Sequence, residues 1–200
     1  MAGGKSERMG VAKGLLKFKK TFWILEQLQR ISKTTISEVY IGLGFDYKHY
    51  FFAIDWFKEA TKKPYSFLGL KVTVVINKTP ELGSYSTLKS ILNQITTESE
   101  ILLNPIDVPL LNTTELQKII NTKNRIVIPN FNKKNGHPIK LSYQFWRELK
   151  TLNLSHKDAR LDVQIKTTTS KISNISVKDN LILLNLNTPT TWKNFLNKSI

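Results

Sequence analysis

The residues best suited to binding or catalysis lie near the start of the chain. Gly3 and Gly4 are adjacent, and paired glycines let backbone amides approach an anion closely. The hydroxyl of Ser6 and the cations of Arg8 and Lys13 follow within ten residues, and such groups can hold phosphate oxygens. The spacing is neither that of the Walker loop nor that of the dinucleotide-binding motif. The segment is therefore either a phosphate-binding loop or an ordinary glycine-rich turn.

Asp107 is the second candidate, because it follows an apolar run, Ile101–Leu103, and precedes a proline, Pro109. Open α/β sheets place their ligands at the carboxyl ends of the strands. A carboxylate there suits Mg²⁺, which takes few protein ligands and adds water and substrate phosphates. Asn187, or alternatively Asn185, offers a neutral second ligand after the last predicted strand. The other interpretation makes Asp107 a turn cap and the asparagines a strand end before a capped helix.

Histidine is scarce, and only one of the three lies in a motif. Gly136, His137 and Pro138 form a turn, whereas His49 and His156 have no partner pattern. The chain has no cysteine, which excludes disulfides, thiolate zinc sites and a cysteine nucleophile. Three scattered histidines do not make a zinc site. His137 is thus either a surface turn residue or part of a substrate site.

The net charge of +15 comes from 30 Lys and Arg against 15 Asp and Glu, and it invites a nucleic-acid interpretation. The basic residues are 25 Lys and 5 Arg spread along the chain, whereas bidentate recognition of phosphates favours Arg. The sequence has no strand in which basic and aromatic residues alternate, as in RNA-binding sheets, and no basic helix that continues into heptad repeats. We therefore expect no stable nucleic-acid partner, although the charge would attract anions, nucleotides included.

Composition indicates one globular unit. Apolar residues make up 40% of the chain, enough for a core, and no apolar run approaches the roughly 20 residues that cross a bilayer. The opening residues 1–4 lack the hydrophobic region of a secretory signal. We expect a single domain over residues 1–200, in the cytoplasm and without a membrane partner.

Hydrophobic periodicity predicts alternating strands and helices. Strands are expected at five apolar runs: Val39–Leu43, Val72–Ile76, Ile101–Leu103, Ile126–Ile128 and Leu181–Leu186. Helices are expected at residues 21–31, 51–60, 86–95, 113–120, with a cap at Thr113, 142–149 and 190–196. Two polar, turn-rich insertions, Asn130–Pro138 and Thr167–Asn174, separate them. Strands alternating with helices favour βαβ units and an α/β fold with a mostly parallel sheet.

Five segments, in order, carry a more specific signal. They are AGGKSERMGVAK at residues 2–13, NKTPELGSYSTL at 77–88, NPIDVPLL at 104–111, NGHP at 135–138 and NLNTP at 185–189. Together they resemble the motifs of the nucleotidyltransferases that activate molybdenum cofactor, the molybdopterin guanylyl- and cytidylyltransferases. The resemblance covers essentially the whole chain. It implies a Rossmann-like, three-layer fold of the nucleotide-diphospho-sugar transferase type.

The resemblance also implies a reaction and the residues that perform it. A substrate phosphate oxygen would attack the α-phosphorus of a nucleoside triphosphate and release pyrophosphate, with Mg²⁺ as cofactor. Arg8, Lys13 and Asp107 would be catalytic, and Asp107 and Asn187 would hold the metal. The nucleotide would contact a larger set: Ala2, Gly3, Gly4, Ser6, Lys13, Asn77, Gly83 and Ser86. The second substrate would lie at Gly136, His137 and Pro138.

Several properties stay open at this level. The AGG tripeptide resembles the guanylyl branch and the Gly-His-Pro turn the cytidylyl branch, so the nucleotide is GTP or CTP. The acceptor implied by the resemblance is molybdopterin or its molybdenum form, with another sugar or alcohol phosphate as the alternative. A non-catalytic nucleotide-binding module is a further alternative. A molybdoenzyme or a maturation chaperone is implied only as a transient partner.

The chain departs from the family pattern at its first strand. Relatives carry an apolar strand directly before AGG, and here Met1 stands where the last residue of that strand would be. Such a strand is central, so its absence leaves two inner sheet edges unpaired. We expect either a start further upstream, the favoured interpretation, or a truncated chain. Residues 11–12 between Gly10 and Lys13 also lack the Asp of many guanylyl-transferring relatives.

Overall fold

The computed structural model describes residues 1–198 as alternating strands and helices. The helices are α1 Trp23–Ile31, α2 Tyr47–Ala53, α3 Ser84–Gln94, α4 Thr113–Asn121, α5 Tyr143–Thr151, α6 Leu161–Thr167 and α7 Pro189–Lys198. The strands are β1 Lys17–Phe18, β2 Thr21–Phe22, β3 Glu38–Leu43, β4 Tyr65–Phe67, β5 Leu70–Ile76, β6 Ile101–Leu103, β7 Ile126–Phe131, β8 Lys134–Asn135, β9 Ile139–Leu141 and β10 Ile172–Ser176. The α/β prediction is confirmed.

The strands form two main sheets of mixed direction. One has the order β3-β5-β4 and the other β10-β7-β9-β6, with β8 paired to β7. The β3–β5 and β7–β10 pairs are parallel, whereas β4–β5, β6–β9, β7–β9 and β7–β8 are antiparallel. The prediction of a mostly parallel sheet is therefore wrong for the strands as paired here. The strands that reverse direction, β4, β8 and β9, are short, and their residues had no strand prediction.

Helices cover both faces of the strands, and the burial pattern shows why. Ile126 and Ile128 of β7 pack in the same cluster as α3 and α5. Val127, between them, packs in another cluster with Leu116 and Ile119 of α4. Successive side chains of a strand point to opposite faces, so an apolar run that is buried on both faces needs a helical layer on each side. This arrangement agrees with a three-layer fold.

The last predicted strand is wrong. The run Leu181–Leu186 begins with a 3₁₀ helix, Asn180–Leu183, and the Asp179 side chain accepts the Leu181 N–H at its start. Ile182 and Leu186 are buried, and their spacing of four residues fits one face of either a helix or a strand. The last strand is β10 instead, which starts inside the predicted polar insertion Thr167–Asn174. A short apolar run without alternation does not distinguish helix from strand.

Most of the predicted helices agree with the structure. Helices α1, α3, α4, α5 and α7 lie within a few residues of their predicted ranges. The helix expected at 51–60 instead begins at Tyr47 and ends at Ala53, because Ile54 adopts an extended backbone conformation. Two 3₁₀ turns follow it. The cap of α4 is Asn112, whose side chain accepts the Glu115 N–H, rather than Thr113.

Candidate active site

Three polar side chains from distant parts of the sequence converge at one point. The Lys13 ammonium lies 3.1 Å from a carboxylate oxygen of Asp107, and it also donates to the amide oxygen of Asn187. Lys13 and Asp107 keep only 18% and 20% of their side-chain surface exposed. Salt screens a partly buried ion pair less than one on the surface. The cluster therefore produces a strong local electric field at a place that solvent can reach.

Two internal hydrogen bonds position Lys13. The Lys13 N–H is 3.4 Å from the Ser6 hydroxyl, and the Gly14 N–H donates to the hydroxyl of Tyr50 at 3.0 Å. Tyr50 is 1% exposed, and its burial raises the pKa of the phenol, which stays protonated. Sequence analysis did not identify Tyr50, because its position in an apolar segment gives no sign of a polar role. It fixes the short 3₁₀ turn that carries Lys13.

Asp107 is held from two sides. The indole N–H of Trp23 in α1 donates to the Ile106 carbonyl at 2.7 Å, and the Leu186 N–H donates to the Asp107 carbonyl at 2.8 Å. The second bond attaches the segment before α7 to the Asp107 loop, which brings Asn187 to the cluster. Asn185 is exposed instead, and its amide is directed at the Leu183 carbonyl. Of the two asparagines considered, Asn187 therefore lies at the Lys13–Asp107 pair, whereas Asn185 does not.

The glycine-rich segment wraps tightly onto α3. A Cβ at Gly3 would stand 2.4 Å from the Thr87 hydroxyl, so this position has room only for glycine, whereas Gly4 is open. Ser6 has a left-handed backbone, with φ 54°, and leads into a 3₁₀ turn over Glu7–Met9. Ala2 is buried beside this loop. The loop thus holds a fixed shape whose open face lies at Gly4.

Arg8 is not brought into the Lys13 cluster. Its side chain is exposed, and within residues 1–198 it makes no hydrogen bond or ion pair. The neighbouring Lys5 pairs instead with Glu7 at 2.6 Å on the surface. Arg8 is therefore a free cation on the rim of the loop.

Asn77 is the centre of a buried polar network where β5 meets α3. Its amide nitrogen donates to the hydroxyls of Ser86 and Thr87 at 2.7 and 3.0 Å, and its oxygen accepts the Thr79 N–H at 3.0 Å. Ser86 is fully buried and donates to the Gly83 carbonyl at 2.7 Å. Ser86 therefore shapes the segment that begins α3 and does not itself present a surface to a ligand.

The Gly136–Pro138 turn lies beside the end of β6. His137 is half-buried, and the Nδ1 atom of its imidazole is buried without a partner among the described residues. The backbone N–H of His137 donates to the Ile182 carbonyl at 3.3 Å. Burial lowers the pKa of His137, and a hydrogen bond to Leu103 and the charge of Asp107 oppose that effect only in part. A Cβ at Gly136 would stand 2.2 Å from the Ile182 carbonyl oxygen. These contacts join the turn to the segment that contains Ile182.

The donor set is sparse for a metal. No group of three or more His, Asp or Glu side chains suited to a metal exists within residues 1–198. Asp107 and Asn187 nevertheless direct oxygens at one cation, the Lys13 ammonium. One carboxylate and one amide fit Mg²⁺, which binds few protein ligands and retains water and substrate phosphates.

Solved structures of the same fold include a nucleotidyl transferase and a molybdopterin-guanine dinucleotide biosynthesis protein. A nucleotidyl transferase from Methanothermobacter thermautotroptrophicus has a TM-score of 0.75 at 16% identity, covering 98% of this chain and 94% of that one. The manganese complex of Rv0371C from Mycobacterium tuberculosis gives 0.72 at 19%, covering 98% and 94%. Molybdopterin-guanine dinucleotide biosynthesis protein A from Archaeoglobus fulgidus gives 0.67 at 16%, covering 99% and 95%. At these identities the likenesses show that the chain shares the fold of these proteins.

A family model narrows this assignment. The MobA-like NTP transferase domain matches residues 1–168, and the chain belongs to this family of nucleotidyltransferase enzymes. The resemblance found in the sequence motifs is confirmed. Among curated proteins, none matches the chain by sequence. Within residues 1–198, every helix is too short or too polar to span a bilayer.

Proposed function

We propose that this nucleotidyltransferase moves a nucleoside monophosphate from GTP or CTP to a phosphorylated acceptor of the molybdopterin type and releases pyrophosphate. The observation that carries the proposal is the convergence of Lys13, Asp107 and Asn187 beside a glycine-rich loop. A cation, a carboxylate and a neutral oxygen ligand at the carboxyl end of β6 form the minimum set that phosphoryl chemistry requires.

The proposed reaction needs little covalent work from the protein. An acceptor phosphate oxygen forms a bond to the α-phosphorus, and the bond from that phosphorus to the bridging oxygen of pyrophosphate breaks. The nucleophile is already an anion, so no general base is required. Catalysis then depends on positioning and on neutralising the charge that develops on the phosphates.

Each residue has a distinct role in this proposal. Asp107 and Asn187 would hold Mg²⁺, which supplies Lewis-acid polarisation of the phosphate oxygens. Lys13 would exchange Asp107 for the triphosphate and neutralise the leaving pyrophosphate. Arg8, free on the rim, would add a second cation from solvent. The manganese in the Rv0371C structure supports a divalent ion in this fold.

The remaining groups would bind the two substrates. The nucleotide would lie along the loop of Ala2, Gly3, Gly4 and Ser6 and against the Asn77 network. It would also contact Gly83, the residue directly before α3. The Gly136–Pro138 turn would contact the acceptor. A sugar or alcohol phosphate remains the alternative acceptor. A cytoplasmic location and a transient molybdoenzyme or chaperone partner belong to the same proposal.

Nucleotide-dependent thermal stabilisation tests the proposal. GTP, CTP, ATP and UTP are each added with and without Mg²⁺ to the chain, to Asp107→Asn and to Asp55→Asn. Asp55 is an exposed carboxylate outside the cluster, so its variant makes the same charge change without touching the site. We expect GTP or CTP to raise Tm only with Mg²⁺, in the chain and in Asp55→Asn but not in Asp107→Asn.

A turnover assay completes the test. Pyrophosphate release is measured with molybdopterin and with a sugar phosphate as acceptors. Release that depends on molybdopterin and is lost in Asp107→Asn supports the proposal. Nucleotide binding without release on either acceptor would favour a non-catalytic nucleotide-binding module, and no Mg²⁺-dependent shift with any nucleotide would contradict the site assignment.

A further inference from the structure

Four aromatic side chains pack together in a core cluster of their own, called the aromatic cluster below. They are Phe18 of β1, Trp23 of α1, and Trp192 and Phe195 of α7. Each ring contacts the other three, with centroids 5.3–6.3 Å apart. None of the four is more than 8% exposed. Buried rings at these distances stabilise one another beyond the area that they bury, so the four form one closely packed unit.

Two of the candidate site residues are chain neighbours of residues in this part of the core. Ile106, directly before Asp107, packs against the same core cluster, and Leu186, directly before Asn187, belongs to it. The Leu186 N–H also donates to the Asp107 carbonyl at 2.8 Å. The two proposed metal ligands, which are far apart along the chain, therefore each lie one peptide bond from a side chain packed in one cluster.

Trp23 connects the aromatic cluster to two of the three site segments by hydrogen bonds. Its indole N–H donates to the Ile106 carbonyl at 2.7 Å. Its backbone N–H donates to the Leu16 carbonyl at 2.8 Å, and the Leu16 N–H donates to the Lys13 carbonyl at 3.2 Å. One fully buried residue thus holds the Asp107 loop with its side chain and the end of the Lys13 turn through its backbone.

Trp192 connects the third site segment. Its backbone N–H donates to the carbonyl of Thr188, the residue directly after Asn187, at 3.0 Å. Its ring packs edge-on against the ring of Trp23, with the centroids 5.4 Å apart. The start of α7 is therefore fixed by a ring that packs directly on the residue that holds the Asp107 loop.

We propose that the aromatic cluster is a positioning unit, in which Trp23 and Trp192 set the distances between Lys13, Asp107 and Asn187. A large ring in a closely packed core resists displacement, because no free space is available beside it. Binding and catalytic groups must be held to within about 0.5 Å of their productive geometry. The effect of the cluster on metal binding rests on the proposed function, whereas its effect on the geometry of the three residues does not.

Trp146 offers a matched control for Trp23. It is 1% exposed, its indole N–H donates to the Ser99 carbonyl at 2.9 Å, and it belongs to another core cluster. Trp23→Phe and Trp146→Phe therefore each take one buried indole N–H away from a backbone carbonyl and keep an aromatic ring. We expect both variants to lower Tm, so only an effect beyond stability distinguishes a positioning role from ordinary packing.

A second pair of variants changes packing alone. Trp192→Leu keeps the backbone and indole hydrogen bonds described above and removes only the α7 ring. Trp56→Leu is its control, because Trp56 stacks on Tyr65 and Phe67 at 4.6 and 5.3 Å in a different core cluster.

Hydrogen exchange of the Leu186 amide measures positioning without any ligand. This N–H bonds the Asp107 carbonyl, so its protection reports whether the Asp107 loop and the segment before α7 stay together. The measurement is made at a temperature at which all four variants are folded. We expect Trp23→Phe and Trp192→Leu to speed this exchange about tenfold more than their controls do.

Binding of Mn²⁺ in the presence of GTP or CTP, followed by electron paramagnetic resonance, measures the consequence for the site. Residues that orient metal ligands typically change metal affinity by about 10- to 100-fold when they are replaced. We expect the Kd for Mn²⁺ to rise about tenfold in Trp23→Phe and in Trp192→Leu. Trp146→Phe and Trp56→Leu should bind the ion like the parent.

The outcomes separate this inference from the function. Equal Leu186 exchange in Trp23→Phe and its control would overturn the positioning unit, as would parental Mn²⁺ affinity in Trp23→Phe. A change in Trp23→Phe without one in Trp192→Leu would overturn the role of Trp192. Faster exchange in these two variants alone, in a protein that binds no Mn²⁺ with either nucleotide, would support the positioning unit and contradict the proposed function.

Discussion

Tyr50→Phe removes one hydroxyl from the interior and keeps the aromatic ring. That oxygen accepts the Gly14 N–H at 3.0 Å, and Tyr50 is 1% exposed, so the amide loses its partner in a buried position. An orphaned buried donor costs about 1–3 kcal/mol of unfolding free energy. For a chain of 200 residues this corresponds to a decrease in Tm of roughly 2–12 °C.

The same change should affect catalysis, because Gly14 belongs to the turn that carries Lys13. A displaced cation binds the phosphates less well in the transition state, and we expect kcat/KM to fall about tenfold, equivalent to ~1.4 kcal/mol. Tyr85→Phe is the matched control. Its hydroxyl donates to the Leu149 carbonyl at 2.8 Å, outside the Lys13 turn. We expect it to lower Tm without changing kcat/KM.

Unfolding curves and pyrophosphate release, measured on both variants with Mg²⁺ in excess, check this reasoning. The positioning role of Tyr50 requires that Tyr50→Phe lose activity while Tyr85→Phe does not. An unchanged kcat/KM in Tyr50→Phe, or an equal loss in the two variants, would refute it.

Three further predictions concern the Lys13 cluster, the Gly136–Pro138 turn and the Met1 amine. Lys13→Met should lower kcat/KM by about 100-fold or more, whereas the exposed Lys20→Met should leave it unchanged, as measured by initial rates. Gly136→Ala should lower the unfolding free energy by ~2 kcal/mol or more because its Cβ would meet a carbonyl oxygen at 2.2 Å, while Gly4→Ala, with open space around it, should unfold like the parent in urea. Since burial lowers the pKa of the Met1 amine from 8.0 to about 6, the unfolded chain binds this proton more tightly. The unfolding free energy should therefore decrease as the pH falls from 8 to 6, as measured by urea unfolding at several pH values.

Local pattern was sufficient for much of the fold. The apolar spacing of 86–95 and of 113–120 predicted α3 and α4, since an amphipathic helix buries a stripe set by its own 3.6-residue period. The run Leu181–Leu186 could not be assigned in the same way. Its conformation depends on Asp179 capping a 3₁₀ turn and on the position of Asp107, which accepts the Leu186 N–H.

The sequence by itself determined which residue types were available for phosphate chemistry, because Gly3, Gly4, Lys13 and Asp107 stand in short local motifs that resemble those of the family. Only the tertiary structure decided that Lys13 meets Asp107 and Asn187, which are 94 and 174 positions away along the chain. It also decided that Ser86 is buried and that Arg8 is free. Local patterns are set by the period of a helix or a strand, whereas these features depend on how distant segments pack, and no local period encodes that packing.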